Sequence, residues 1–295
     1  MISGALLLDK PVGLSSNAAL QRAKRLFAAR KAGHAGTLDP LASGLLVVLF
    51  GEATKFAGPL LDADKEYLAR VKLGERTATG DAEGEVLERR RVQVSDAQLA
   101  AVLARFRGSV EQLPPMYSAL KRKGVPLYKL ARRGETVERA ARQVVISRLG
   151  LVARDGDLVE LTIRCSKGTY VRTLAEDIGE ALGTGAHLAG LRRAGSGRFK
   201  LEDAIALDAL ERMTSGERQR RLLPLDALLS ELPRVQLDAA GEARLRNGRT
   251  LEISGLRPGL CAVYGADGGL IGLGTADAAG ALRPRRLTQT AEKHQ

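Results

Sequence analysis

Residues 33–44 (GHAGTLDPLASG) form a glycine-rich stretch whose one carboxylate is Asp39. Glycine permits backbone angles that other residues avoid and lets a ligand approach closely. Pro40 biases Asp39 away from the helical region. The stretch is therefore predicted to be a loop that holds one acid on a stiff backbone, which suits nucleophilic or acid–base chemistry. An Asp-Pro turn without a chemical role is the alternative.

The elements that must position this loop follow from the hydrophobic pattern. Residues 45–50 (LLVVLF) are a short apolar run that favours a buried strand. Further strands are predicted at residues 5–9, 66–73, 143–152 and 158–165, and helices at about residues 16–29, 53–61, 95–107, 169–182 and 222–232. Ser95 and Thr169 are the predicted caps of two of these helices. Strands and amphipathic helices without repeated βαβ units indicate an α+β fold.

Two regions differ from this pattern. Residues 121–142 hold eight basic and two acidic residues with interrupting glycines and a proline, which predicts a protruding, RNA-facing lobe; a merely solvated face is the alternative. After Pro233, glycines recur between short apolar segments, as in a small β-barrel. The predicted boundary therefore divides the chain into residues 1–233 and a small domain at 234–290.

The overall charge points to the class of partner. The 295-residue chain carries a formal net charge of +12, which predicts a polyanionic partner, most simply a nucleic acid. Aromatic residues make up 3% and tryptophan is absent. Wide stacking platforms for single strands are therefore not expected, and binding should depend on arginine, lysine and backbone groups.

The composition also excludes some classes of protein. No signal peptide is visible, and no apolar run approaches the roughly 18 residues of a membrane span. Cys165 and Cys261 are the only cysteines, and the histidines, His34, His187 and His294, are scattered. We expect a cytoplasmic protein without disulfides, metal or cofactor.

Four segments together resemble one known family. The stretch GHAGTLDPLASGLL at residues 33–46 is similar to the active-site segment of the bacterial tRNA pseudouridine-55 synthases of the TruB type. The segments LDKPVGLSS at 8–16, KEY at 65–67 and CSKGTYVRTL at 165–174 resemble other motifs of that family, in the family's order. Residues 187–193 and 79–84 are similar to it as well.

The resemblance implies three catalytic residues. Asp39 matches the family's catalytic aspartate, which acts as the nucleophile. Arg172 matches the arginine that pairs with it, and such a cation keeps a carboxylate charged and aimed. Tyr67 matches the active-site tyrosine that stacks on the base.

It also implies five residues that bind the substrate. Tyr170 and Leu191 would line the base pocket, and Lys10 would pack behind the catalytic loop. His34 either holds the RNA and fills the space left by a flipped base, or is structural. Asp81 either faces the site or caps its turn.

The function implied by the resemblance is isomerisation of uridine to pseudouridine at position 55 of the tRNA T-psi-C loop, on a single flipped-out uridine. Asp39 would attack either C6 or C1′. The implied fold is a mixed, largely antiparallel sheet with flanking helices, a basic thumb at about residues 114–143 and a PUA-like tail. We expect a monomer that needs tRNA but no guide RNA.

Two other functions remain open at this level: a non-catalytic RNA-binding or tRNA-folding factor, and a guide-dependent pseudouridine synthase. A glycosidase is less supported, because it requires two carboxylates that flank a water site.

Overall fold

The computed structural model describes residues 2–118, 120–122, 124–131, 133–135 and 137–289. Lys123 and Arg132 of the predicted lobe, and the tail beyond residue 289 with His294, lie outside the described residues. The strands are β1 (Gly4–Lys10), β2 (Ala32–His34), β3 (Ala42–Phe50), β4 (Lys65–Leu73), β5 (Glu75–Thr77), β6 (Val86–Arg89), β7 (Gly108–Gln112), β8 (Lys121–Arg122), β9 (Val125–Pro126), β10 (Arg142–Asp155), β11 (Leu158–Cys165), β12 (Ala186–Ser196), β13 (Phe199–Lys200), β14 (Ile205–Ala206), β15 (Arg234–Gln236), β16 (Leu251–Glu252), β17 (Gly259–Tyr264), β18 (Leu270–Ala276) and β19 (Ala281–Leu287). The α-helices are α1 (Ser16–Leu26), α2 (Ala57–Asp62), α3 (Asp96–Arg105), α4 (Leu127–Ala131), α5 (Val171–Ala181), α6 (Leu207–Arg212), α7 (Ser215–Arg220) and α8 (Ala239–Arg246).

A ten-stranded sheet forms the centre of the fold. Its order is β14-β1-β3-β12-β4-β11-β10-β7, with β2 paired to β3 and β13 paired to β12. The β1–β14 and β3–β12 pairs are parallel, and the other pairs are antiparallel. The α+β class with a mixed, largely antiparallel sheet is therefore confirmed.

The central strands are buried on both faces, which explains their continuous apolar runs. On one face of β1 and β3, side chains such as Leu8 and Val48 pack against α1 and α6. On the other face, Leu7 and Val47 pack against Phe56. Helices α3 and α5 cover the inward side chains of β4 and β11. The predicted helices thus flank the sheet that carries the Asp39 loop.

Two local predictions were wrong. Thr169 does not cap α5: the N-cap residue is Tyr170, without a side-chain cap bond, and the Thr169 hydroxyl donates to the Ser166 carbonyl. The helix predicted at 222–232 is only a 3₁₀ turn at Leu225–Leu228. Leu223 instead exchanges backbone hydrogen bonds with Ala5 of β1, which keeps the chain extended before Pro224.

The basic lobe is an insertion between the neighbouring strands β7 and β10. It contains the two-stranded pair β8–β9 and the short helix α4. At its base, the Arg139 guanidinium donates to the Pro114 carbonyl over 2.8 Å. The lobe is therefore fastened where it leaves the sheet.

The C-terminal part forms a separate, curled five-stranded sheet in the order β15-β17-β18-β19-β16, together with the unpredicted helix α8. Its first strand begins at Arg234. Ala262, Tyr264 and Leu273 of this sheet share a hydrophobic cluster with Ala53 and Phe56 of the core. The two sheets are thus joined by continuous apolar packing.

Candidate active site

The loop that carries Asp39 is held from two sides. The Ser16 hydroxyl, in the first turn of α1, accepts a hydrogen bond from the Leu38 N–H over 2.7 Å and donates to the Leu38 carbonyl over 3.0 Å. On the other side, the Gly13 N–H donates to the Pro40 carbonyl over 2.8 Å. Backbone groups next to Asp39 are therefore fixed, so the carboxylate has a defined position.

Arg172 lies beside this carboxylate in the first turn of α5, and only 6% of the residue is exposed. Its Nη2 is 3.0 Å from Asp39 Oδ2, and its Nη1 is 3.5 Å from Asp81 Oδ2. The guanidinium also donates to the carbonyls of Tyr117 and Thr79. One buried cation thus connects two carboxylates and the loops around them.

Gln112, at the end of β7, fixes the start of the helix that carries Arg172. Its side-chain amide donates to the Tyr170 carbonyl over 3.2 Å and accepts from the Tyr170 N–H over 3.0 Å. This pair of bonds satisfies the backbone of the N-cap residue, which has no side-chain cap of its own. The position of Arg172 is therefore set by the sheet as well as by α5.

The Asp39–Arg172 pair lies at the junction of two cavities. The first, of about 290 Å³, is lined by Tyr67, Tyr170 and Leu191. The second, of about 510 Å³, is lined by His34 and Asp81, among others. Thr37, Leu38, Asp39, Ser118 and Arg172 line both cavities. A group bound in either cavity can therefore contact the carboxylate.

The electrostatics of Asp39 combine opposing effects. Burial in the cleft raises the pKa of its carboxyl group, and the neighbouring Asp81 adds to the rise. The charges of Arg172 and Lys10 oppose it. About 44% of the side chain is still exposed. The carboxylate is thus open to a ligand, partly desolvated, and held in place by a cation.

The first cavity unites three of the predicted residues. Tyr67 lies near the start of β4, Tyr170 at the N-terminus of α5 and Leu191 in β12. Burial raises the pKa of both phenols. Two rings and an aliphatic side chain therefore surround a space that opens on the Asp39 carboxylate, an arrangement suited to a flat aromatic ligand.

The second cavity is lined by two further predicted residues, His34 and Asp81. His34 ends β2, and its Nδ1 is buried without a hydrogen-bond partner among the described residues. Burial lowers the pKa of this imidazole. Asp81 is 3% exposed, and its Oδ1 accepts from the Thr79 hydroxyl and the Glu83 N–H. Asp81 therefore both stabilises its turn and faces Arg172.

Lys10 differs from the other predicted residues because it lines neither cavity. It is fully buried, and its ammonium group donates to the carbonyls of Pro11 and Leu14. Burial lowers the pKa of this amine to about 8. Such a placement favours packing behind the Asp39 loop over contact with a substrate.

Comparisons with known proteins identify the family. Residues 24–171, half of the chain, match the model of the TruB family pseudouridylate synthase N-terminal domain. The chain belongs to this family. Residues 172–230 match the tRNA pseudouridylate synthase B C-terminal domain, and residues 233–288 match the C-terminal domain of pseudouridine synthase II TruB.

Individual relatives of this TruB-family chain are similar over their whole length. A protein named tRNA pseudouridine synthase B from Burkholderia mallei is 58% identical, with 98% of each chain covered. One of the same name from Cupriavidus metallidurans is 54% identical, over 98% of this chain and 95% of the relative. Among solved structures, a chain of the archaeal box H/ACA sRNP Nop10–Cbf5 complex is 26% identical with a TM-score of 0.74, over 98% of this chain and 87% of that one.

One buried residue of this TruB-family site was not predicted. Arg193, in β12, lines the first cavity with 1% exposure. Its guanidinium donates to the carbonyls of Leu45, Gly36 and Thr37, over 2.7, 3.0 and 3.4 Å. In the sequence it is one of two adjacent arginines at 192–193, and nothing local distinguishes the buried one from the exposed one.

Two further observations concern membrane spans and metal sites. Within residues 2–289, apart from the four undescribed positions, no helix is long and apolar enough to cross a membrane. Over the same described positions, no group of three or more histidine, cysteine or acidic residues is arranged to hold a metal ion.

Proposed function

We propose that this protein isomerises uridine to pseudouridine at position 55, in the T-psi-C loop of tRNA, with Asp39 as the nucleophile. The observation that carries the proposal is the 3.0 Å pair between the Asp39 carboxylate and the buried Arg172 guanidinium, at the mouth of a cavity lined by two tyrosines. The family supports pseudouridine formation, and the names of the relatives from Burkholderia and Cupriavidus support tRNA as the substrate.

The reaction breaks the bond between N1 and C1′ of a uridine, turns the base, and joins C5 to C1′. The step requires a nucleophile that attacks either C6 or C1′ and later departs. Asp39 supplies it. Partial burial removes water from the carboxylate, while Arg172 and Lys10 favour its charged form. The open part of the side chain gives the substrate access.

The base must leave the folded RNA loop to reach this carboxylate. In the first cavity, the Tyr67 ring stacks on the uracil, while Tyr170 and Leu191 complete the walls. Enclosure between these side chains keeps the detached base close to the ribose until C5 can bond. The Tyr67 side chain, as the phenolate, then accepts the C5 proton.

The rest of the tRNA binds around this site. In the second cavity, His34 lies where it can fill the space that the flipped nucleotide leaves. The basic lobe, about residues 114–143, contacts phosphates as a thumb on the catalytic domain of residues 1–233. Residues 234–290 form a PUA-like RNA-binding domain. The protein acts in the cytoplasm as a monomer, without a guide RNA.

Guide-dependent modification is the alternative that a specific observation favours. The neighbours with TM-scores of 0.73–0.74 are chains of complexes titled Cbf5–Nop10–Gar1, Nop10–Cbf5 of a box H/ACA sRNP, and H/ACA RNP bound to a substrate RNA. Identity to these chains is 25–26%, against 54–58% for the proteins named tRNA pseudouridine synthase B. The stronger likeness supports stand-alone action on tRNA.

In the decisive experiment, purified protein is incubated with an unmodified tRNA transcript and no other RNA. Pseudouridine is then mapped by chemical labelling and primer extension. We expect one modified site, at position 55. A transcript with cytidine at that position is the control for the site, and Asp39→Asn, which preserves size and hydrogen bonding, is the control for the nucleophile.

Each other result selects a different function. Binding of tRNA without any product would identify a non-catalytic RNA-binding or folding factor. Product that appears only after a small cellular RNA fraction is added would identify a guide-dependent synthase. Turnover by Asp39→Asn close to the parent rate would refute the role of Asp39.

A further inference from the structure

Arg193 is the most deeply buried cation among the residues that line the two cavities, and no contact within the described part of the chain requires its positive charge. Three of its N–H groups donate to backbone carbonyls of the Asp39 loop and β3. Among the described residues, no carboxylate lies within salt-bridge distance of it. Removal of a charge from water without an opposite charge is unfavourable. A neutral donor would be sufficient for the carbonyls, so the positive charge points to an anion that forms during turnover.

The backbone brings Arg193 directly against Tyr67. The two residues are paired across the antiparallel β12–β4 ladder, so their side chains leave the sheet on the same face. Both line the first cavity. The close approach of the strands on the other side of β12 depends on Gly44, where a Cβ atom would collide with the Arg193 carbonyl oxygen. Strand pairing therefore makes the Arg193 and Tyr67 side chains neighbours on the face that lines the first cavity.

We propose that Arg193 is a positioning residue that stabilises the phenolate form of Tyr67, so that Tyr67 can accept the C5 proton of the turned uracil. This inference rests on the proposed function. The protons balance within the site: the phenol gives its proton to uracil N1, which carries hydrogen in the product, and the phenolate takes the C5 proton. Burial raises the pKa of the Tyr67 phenol, and the charge of Arg193 is the main effect that opposes the rise.

The test is a double-mutant cycle on single-turnover rates at saturating enzyme. It compares the parent, Arg193→Met, Tyr67→Phe and the double variant. Because Arg193 also holds the Asp39 loop, Arg193→Met should slow turnover in both backgrounds. The part of the Arg193 effect that acts through the Tyr67 phenol is already absent in Tyr67→Phe, so Arg193→Met cannot remove it again there. We therefore expect the slowing caused by Arg193→Met to differ between the two backgrounds. The slowing factor should be about tenfold or more smaller in Tyr67→Phe than in the parent.

Equal slowing factors in the two backgrounds, within about twofold, would overturn the inference, because purely structural losses multiply. Tyr67→Phe that turns over like the parent would overturn it too, while leaving tRNA isomerisation by the parent intact. A parent without turnover on tRNA would instead refute the proposed function. The three failures are thus distinguishable.

Two further variants complete the design. Arg192→Met is the matched control, since the neighbouring Arg192 is 44% exposed and pairs with Asp9 over 2.7 Å; its rate should stay close to that of the parent in both backgrounds. If Arg193→Met does not fold, as judged by circular dichroism, Arg193→Gln replaces it, because an amide still donates to the loop carbonyls without the charge. The expected cycle is the same.

Discussion

Replacement of Arg172 by methionine removes the cation between Asp39 and Asp81 while preserving most of the side-chain volume. Asp81, 3% exposed, would then be a buried carboxylate without its cation. Loss of one partner of a buried ion pair typically destabilises a protein by about 3–5 kcal/mol. Asp39 should contribute less of this loss, since 44% of its side chain is exposed. We expect a destabilisation in that range.

A second substitution tests whether the unpaired charge is the cause. Asp81→Asn retains an oxygen that can accept from the Thr79 hydroxyl and the Glu83 N–H, and it removes the negative charge. In the Arg172→Met background it should therefore restore most of the lost stability. It should not restore activity, because Asp39 still lacks the cation at 3.0 Å. The double variant should therefore be nearly as stable as the parent but no more active than Arg172→Met.

The pH dependence of the turnover rate tests the effect of the Arg172 charge on Asp39 in a second way. Turnover requires ionised Asp39, so the rate falls as pH drops through its pKa. Arg172 lowers that pKa against the effect of burial. Its removal should therefore move the acid limb of the single-turnover rate to higher pH in Arg172→Met. The shift should be smaller in the double variant, which also lacks the Asp81 charge that raises the same pKa.

Urea denaturation and single-turnover rates on tRNA measure these effects. An Arg172→Met protein as stable as the parent would contradict the description of a buried, charge-paired network. A double variant no more stable than Arg172→Met would show that the guanidinium stabilises the fold through its backbone contacts at Tyr117 and Thr79. An unmoved acid limb would remove Arg172 from the control of Asp39.

Three further predictions concern chemistry, metals and RNA. Tyr67→Phe should retain tRNA affinity within a few-fold and slow the chemical step by roughly 10²-fold, whereas Tyr67→Leu should also bind more weakly because stacking is lost; a Leu variant equal to the parent would make Tyr67 ordinary packing. Activity should persist in EDTA at constant ionic strength, since the described residues offer no cluster for a metal ion; loss reversed only by one divalent ion, with the tRNA shown to stay folded, would contradict this. Arg122→Gln with Arg133→Gln in the lobe should weaken binding and reduce the slope of log K against log salt by roughly 0.7–0.9 for each phosphate that the variant no longer neutralises, and an unchanged slope would mean a solvated face.

The elements with strong periodicity were predictable from the sequence. The apolar run before Gly51 forms the C-terminal part of β3, and the alternation from Tyr67 to Leu73 is the inward face of β4. Ser95 caps α3 through a complete capping box with Gln98. In each case, neighbouring residues carry the information, so a local pattern is sufficient.

The predictions that were wrong concern segments whose structure depends on contacts between residues far apart in the sequence. The helix expected at 222–232 did not form because Leu223 pairs with Ala5, more than two hundred positions away. Where Thr169 was expected to cap α5, Gln112 from a remote strand instead holds the backbone of the N-cap residue Tyr170. No periodicity or local propensity predicts such partners.

The same distinction applies to the site. Asp39, Tyr67, Tyr170 and Leu191 were identified because their segments resemble family motifs, and they do meet around one cavity. Arg193 was not predicted as a site residue, because its burial results from the pairing of β12 with β3 and β4. A charged side chain in a strand is ordinarily expected at the surface.

The cluster that joins the C-terminal sheet to the core has a mechanical consequence. Tyr264 and Leu273 pack in the same cluster as Leu45 and Val47 of β3, the strand that begins where the Asp39 loop ends. A tail on a flexible linker would present RNA at variable distances from the carboxylate. This tail cannot move away without exposing the apolar cluster that it shares with Ala53 and Phe56. If this tail binds RNA as proposed, the bound RNA lies at a fixed distance from Asp39, and the protein should discriminate among substrates by their length.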